Sequence, residues 1–98
     1  MTGQRMERVV EVVNVLGFHA RPAAEFVRLA GKFGCDLWLE KDGLEVNAKS
    51  IMGVLMLSAE KGSQLVIRGE GNDAEEALDV LADLISRGFE EMYGVEGP

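Results

Sequence analysis

The carboxy-terminal third of the chain constrains the fold most tightly. Ala74, Ala77, Leu78, Leu81, Leu84, Ile85, Phe89 and Met92 recur at helical spacing. They predict one long amphipathic helix with an apolar stripe that has to lie against another layer. Asp73, followed three residues later by Glu76, resembles a capping box with aspartate in place of serine or threonine. Gly94 follows the last periodic residue as a stop. In a chain of 98 residues the opposing layer has to come from the same small domain.

The preceding sequence supplies that layer in short pieces. Residues 1–7 read as a loose leader. Val9 to Val13 is rich in valine and predicts a strand, followed by a loop from Asn14 to Gly17. From Ala20 to Phe33 the apolar positions Ala23, Phe26, Val27, Ala30 and Phe33 predict a second helix, with Pro22 in its first turn. Of Gly31 and Gly34, the latter is the better stop. Cys35 to Lys41 and Leu44 to Lys49 alternate on either side of Asp42-Gly43, a strong hairpin signal. Leu37 and Leu39 then share one face, as do Leu44, Val46 and Ala48, while Trp38 points the other way, half exposed or under a loop. Ser50 to about Ser58 predicts a short helix, Lys61-Gly62 a turn, and Ser63 to Gly69 a strand with Leu65 and Ile67 on one face. The order β-α-β-β-α-β-α predicts a layered sandwich with the helices on one face of a sheet. No repeat, low-complexity tract or linker divides it, so the whole chain reads as a single domain.

Composition removes several functions. A net charge of −7 argues against bulk nucleic-acid binding, and much of the acid lies between Glu70 and Glu91, as on a solvated helix face. Cys35 is the sole cysteine, so no internal disulfide can form, which fits a reducing compartment. The polar start Met1-Thr2-Gly3-Gln4-Arg5 is followed by no secretory h-region, and no apolar run has membrane-spanning length, so the expected location is cytoplasmic. One histidine and one cysteine make a clustered metal site implausible. There is no P-loop, no G-x-S-x-G elbow and no motif calling for a bound cofactor. The chain does not read as a self-contained enzyme.

Two segments remain. Gly17-Phe18-His19-Ala20-Arg21-Pro22-Ala23 puts the only histidine where a helix begins. Backbone N–H groups point outward there and favour an anion. A neutral imidazole keeps a lone pair able to attack phosphorus. Arg21 can aim a guanidinium at phosphoryl oxygens. On the local chemistry alone, a nucleophile in an anion cradle and a plain helix cap beside a solvated arginine stand about even. The second segment, Lys49-Ser50-Ile51-Met52-Gly53-Val54-Leu55, opens a short helix with Ser50 as its N-cap. A helix this short cannot bury every side, which leaves room for an exposed apolar patch.

Together, G-x-H-A-R-P-A and the downstream K-S-I-M-G-V resemble the HPr family, the histidine-containing phosphocarriers of the bacterial phosphoenolpyruvate-dependent sugar phosphotransferase system. The resemblance runs from Val9 to Glu91. It implies an α+β open-faced sandwich in which three helices cover one face of a four-stranded antiparallel sheet. It further implies that His19 accepts a phosphoryl group at Nδ1 from phosphorylated enzyme I and donates it to enzyme IIA domains. Arg21 would hold the phosphoryl group. Ile51, Met52 and Leu55, with Phe18 and Ala20 beside the histidine, would bind partners. Ser50 matches the serine modified by HPr kinase/phosphorylase in many Gram-positive relatives, which would link the chain to a carbon-catabolite transcriptional regulator. A monomer is expected. Phe18 departs from the usual leucine or isoleucine, which implies altered packing. A carrier of the nitrogen-related branch, a regulatory binding module and a small ligand-binding domain are the competing readings.

Overall fold

The computed structural model describes residues 4–91, and a tight turn at Asp42-Gly43 organises the first hairpin. Both turn residues have positive φ, 52° and 87°, the mirror-image turn whose twist matches paired strands. It joins β2 (Asp36–Lys41) to β3 (Leu44–Asn47), with Trp38 opposite Asn47 and Lys41 opposite Leu44. The other edge of β2 pairs with β4 (Gln64–Glu70), and β4 pairs in turn with β1 (Met6–Glu11). All three pairings are antiparallel and the strand order is β1-β4-β2-β3. Three helices complete the element order: α1 (Ala20–Ala30), α2 (Ile51–Met56) and α3 (Ala74–Ser86). This is the open-faced sandwich expected from the sequence.

Period-two alternation decides which face the helices cover. Val10, Leu37, Leu39, Leu65 and Ile67 are buried and join Phe26, Val54, Leu78, Leu81 and Ile85 in one apolar cluster. Each large side chain so buried stabilises the fold by about 1.5–3 kcal/mol. The opposite sheet face is charged. There Arg68 pairs with Glu7, Glu40 and Glu45, and the Arg5 guanidinium lies 3.8 Å from the centre of the half-buried Trp38 ring. Solvent-accessible ion pairs on such a face add little stability, about 0–1 kcal/mol each, although Arg68 and Glu40 are themselves half-buried. They keep this face polar.

Several boundaries differ from expectation for local reasons. β1 starts at Met6, inside the presumed leader, because β4 is long enough to pair Met6 with Gly69 and Arg8 anchors to Asp79 of α3. α1 ends at Ala30 with Gly31, not Gly34, as its C-cap. Val27 and Phe33 on its expected apolar stripe are only partly buried. Leu44 is exposed because β3 is an edge strand that α2 covers only in part. The last helix stops at Ser86, since Gly88 and Phe89 adopt positive φ of 64° and 57° and turn the chain into a short 3-10 segment, Gly88–Glu91. Met92 and Gly94, expected as the helix end and its stop, lie outside the described residues.

The capping box is also not formed. Asp73 occupies the N-cap of α3, but its side chain makes no capping bond. Its carboxylate instead accepts the backbone N–H groups of Gly34 and Cys35, at 2.9 and 3.0 Å. Across the same stretch Lys49 Nζ donates to the Phe33 carbonyl at 2.7 Å. The segment linking α1 to β2 is therefore fastened from two sides, which fixes α1 against the sheet.

Candidate functional site

The site begins with a glycine that no other residue can replace without displacement. Gly17 has φ +65°, and a Cβ there would sit 2.5 Å from the Ala59 carbonyl oxygen. That closeness lets the Phe18 N–H donate to the Ala59 carbonyl at 2.9 Å. The loop before α1 is thereby bonded to the segment after α2. Phe18, expected at a partner-binding surface, is only 5% exposed. Its ring packs edge-to-face against Phe26 and Phe89, with centroids 5.6 and 5.3 Å apart. The expectation is corrected accordingly. Phe18 anchors the loop inside the core, packed on the ring of Phe89, whose backbone has positive φ.

His19 follows as the N-cap of α1, with extended backbone (φ −78°, ψ −171°). Its carbonyl accepts the first helical bond, from the Ala23 N–H at 3.0 Å. Its side chain makes no capping bond, so the plain-cap alternative finds no support in the geometry. The residue is half-buried, and Nε2 has almost no accessible surface. Ala20 and Arg21 are exposed on the first turn, and Pro22 is buried beneath it. That turn contains no acidic residue, whereas the first turn of α3 carries Glu75 and Glu76. In a chain of net charge −7, α1 thus places none of its own carboxylates in its first turn, where they would offset the positive potential of the helix start.

Ser50 is the N-cap of α2, and its Oγ accepts the Gly53 N–H at 3.1 Å. Gly53 packs tightly, since a Cβ there would approach Val46 Cβ to 3.1 Å. Only Val54 of the helix is fully buried. Ile51 and Leu55 are each 36% exposed, Met52 69% and Met56 65%. Met56, absent from the sequence-based surface, extends it by one turn from Met52. The i, i+4 spacing was its available signal. Val15 and Leu16, exposed in the loop before His19, were likewise not singled out. Nothing in their sequence distinguishes them from core residues. α2 is six residues long, or about 9 Å. Ser50 stands at one end, and the segment bonded to the His19 loop follows the other.

Cys35 offers no competing nucleophile. Burial first, and then Asp73 beside it, push its thiol up to about 11, so it stays protonated near neutrality. Among the described residues no group of His, Cys, Asp and Glu could hold a metal ion. None of the described helices is long and apolar enough to cross a membrane.

Fold and site together define a class: an open-faced β-sandwich that presents one histidine at a helix start beside a thinly covered apolar helix. Comparison with known proteins gives the family. Residues 6–87 match the family model described as the PTS HPr component phosphorylation site. The chain belongs to the HPr family of phosphocarriers. It is 40% identical over 86 residues to the phosphocarrier protein HPr of Neisseria meningitidis, covering 88% of this chain and 97% of the relative. It is 45% identical over 82 residues to the HPr-like protein Crh of Halalkalibacterium halodurans, covering 84% and 98%. The crystal structure of HPr-C-His from Thermoanaerobacter tengcongensis superposes with a TM-score of 0.85 at 48% identity, covering 88% of this chain and 97% of that one.

Proposed function

We propose that His19 carries a phosphoryl group between phosphorylated enzyme I and the enzyme IIA domains of sugar transporters. The single observation behind this reading is the state of the α1 start, where the N-cap imidazole takes no part in capping and no carboxylate shares the first turn. Nε2 is buried, so Nδ1 is taken as the attacking nitrogen. Its lone pair attacks phosphorus, and the bond to the donor's own nucleophile breaks with its electron pair. The outward N–H groups of the first turn and the Arg21 guanidinium then share the charge of the transferred group. In the return step an enzyme IIA nucleophile attacks the same phosphorus and His19 leaves as neutral imidazole. The transfer needs no cofactor in this reading, and one copy of the chain carries the whole site, so the proposed carrier works as a monomer.

Ile51, Met52, Leu55 and Met56, with Ala20 and Arg21, form the surface on which enzyme I and the enzyme IIA domains dock in turn. Ser50 regulates that surface when HPr kinase/phosphorylase modifies it. A phosphate there remains at a helix N-terminus, so α2 persists. Its charge nevertheless stands within about one Debye length, roughly 8 Å, of the apolar contacts. Incubation with phosphoenolpyruvate and enzyme I should place an acid-labile phosphate on the wild-type protein and none on His19→Ala. Label retained by His19→Ala would overturn the assignment.

The likeness to Crh favours a second role, in which the chain modified at Ser50 binds a carbon-catabolite transcriptional regulator. The two roles use different residues and coexist in one protein. Binding of the regulator by the Ser50-phosphorylated form, and not by the unmodified form, is the expected result.

A further inference from the structure

Asn14 is part of neither the histidine motif nor the apolar patch, yet it makes the contact that shapes the turn in front of His19. Its backbone carbonyl accepts the Gly17 N–H at 3.1 Å, closing a four-residue turn. Its side-chain Nδ2 then donates forward to the Gly17 carbonyl at 2.9 Å. Turn asparagines ordinarily use the opposite group, accepting a nearby backbone N–H through Oδ1. Here Oδ1 is buried with no hydrogen-bond donor from the described residues. The Gly17 carbonyl can only accept, so the amide nitrogen has to face it. The amide is thus oriented by the carbonyl it serves, while Oδ1 finds no donor among the described residues.

That carbonyl belongs to the peptide unit whose N–H, on Phe18, donates to Ala59. Asn14 on one side and Ala59 on the other therefore fix both polar ends of the Gly17–Phe18 peptide plane. With that plane set and the Phe18 ring held between Phe26 and Phe89, the backbone of His19 has little freedom left. Asn14 is itself covered, since a Cβ on Gly88 would meet its Cβ at 3.6 Å and Val13 Cγ2 at 3.4 Å. The turn after α3 thus closes over the residue that orients the loop.

We infer that Asn14 is a positioning residue for His19, holding the imidazole in the orientation needed for phosphoryl transfer. The inference rests on the carrier function proposed for His19. Asn14→Asp keeps the shape but sets a carboxylate oxygen against the Gly17 carbonyl, and Asn14→Ala removes the contact. Both lie outside the docking surface. In assays with phosphoenolpyruvate and enzyme I, Asn14→Asp is expected to lower kcat about tenfold to a hundredfold, with KM for enzyme I unchanged, and Asn14→Ala to fall between. An independent readout is the NMR spectrum of the unphosphorylated protein. The His19 ring and the Phe18 amide should shift in both variants, while Ser50 and Met52 should not. Wild-type kcat together with unshifted His19 signals would overturn the inference. If the wild type took up no phosphate, the carrier function would fail, and the His19 shifts would still decide whether Asn14 positions the ring. Should Asn14→Asp not fold, Asn14→Ala carries both readouts.

Discussion

The starts of α1 and α2 use their N-cap side chains in opposite ways. Both helices lack acidic residues in the first turn, so both favour an anion. At α2 the cap is spent on structure, with Ser50 Oγ accepting the Gly53 N–H at 3.1 Å. At α1 the His19 side chain makes no such bond, and the helix start is held by neighbours: Gly17 against Ala59, Phe18 in the core and Pro22 in the first turn. A carrier has to be equally folded with and without its cargo, and a histidine excused from capping meets that need. The regulation proposed for Ser50 has the reverse requirement. Modification there would substitute a stronger anion for an existing cap, so that the helix survives and the change is felt by whatever docks on Met52. The start of α3 shows a third use, in which Asp73 reaches past its own helix to tie down Gly34 and Cys35.

The largest effect should come from breaking the outside support of α1. Gly17→Val forces a branched side chain into a left-handed backbone and against the Ala59 carbonyl. It should cost about 3 kcal/mol in urea unfolding, near the top of the range for strain and overpacking. Wild-type stability would show that this contact does not set the loop. Next in size is Met52→Asp, which alters docking and not folding because Met52 is 69% exposed. Transfer from enzyme I should slow about tenfold or more, as for a residue near the centre of an interface, with the melting temperature unchanged. The α2 cap is the smaller lever. Ser50→Ala should lose about 1 kcal/mol. Ser50→Asp should keep its stability but accept phosphate more slowly, and equal rates for Ser50→Asp and wild type would remove the electrostatic account of regulation.

The smallest effect concerns the third helix start. The Gly34 N–H first, and then Cys35, hold the Asp73 carboxyl below the ordinary aspartate value. A carboxyl depressed in the folded state contributes stability above its unfolded pKa, about 3.9, and loses it as pH falls through the folded value. Asp73→Asn should therefore show a shallower loss of stability than wild type on acidification below about pH 4. Parallel acid-unfolding curves would mean that this carboxylate does not clamp the α1–β2 segment.

Much of this was legible in the sequence, for physical reasons that can be named. The Asp42-Gly43 turn, the alternation around Leu37 and Leu65 and the stripe from Ala74 to Ile85 are local patterns whose burial depends on period alone. The site was legible because His19, Pro22 and Ser50 each declare a helix start through their own chemistry. Long-range choices were not legible. Asp73 had a satisfactory local partner in the capping box and instead bonds Gly34 and Cys35, about forty residues away in sequence. Phe18 looked like surface beside the candidate histidine, yet two aromatic partners from separate helical segments bury it. Gly88 ends α3 although apolar periodicity continues to Met92, because a hydrophobic pattern does not register a positive φ. Asn14 was read as loop, and nothing near it in sequence reveals which of its two amide atoms does the holding.

The central claim is that the His19 side chain, through Nδ1, is the group that carries phosphate. Phosphorylating ¹⁵N-labelled protein with phosphoenolpyruvate and enzyme I, and then recording phosphorus–nitrogen couplings by NMR, tests it directly. The account predicts a coupling to Nδ1 of His19, and resonances of α2 and α3 that hardly move. Coupling to Nε2, or a phosphate found only on Ser50 or another hydroxyl, would contradict it.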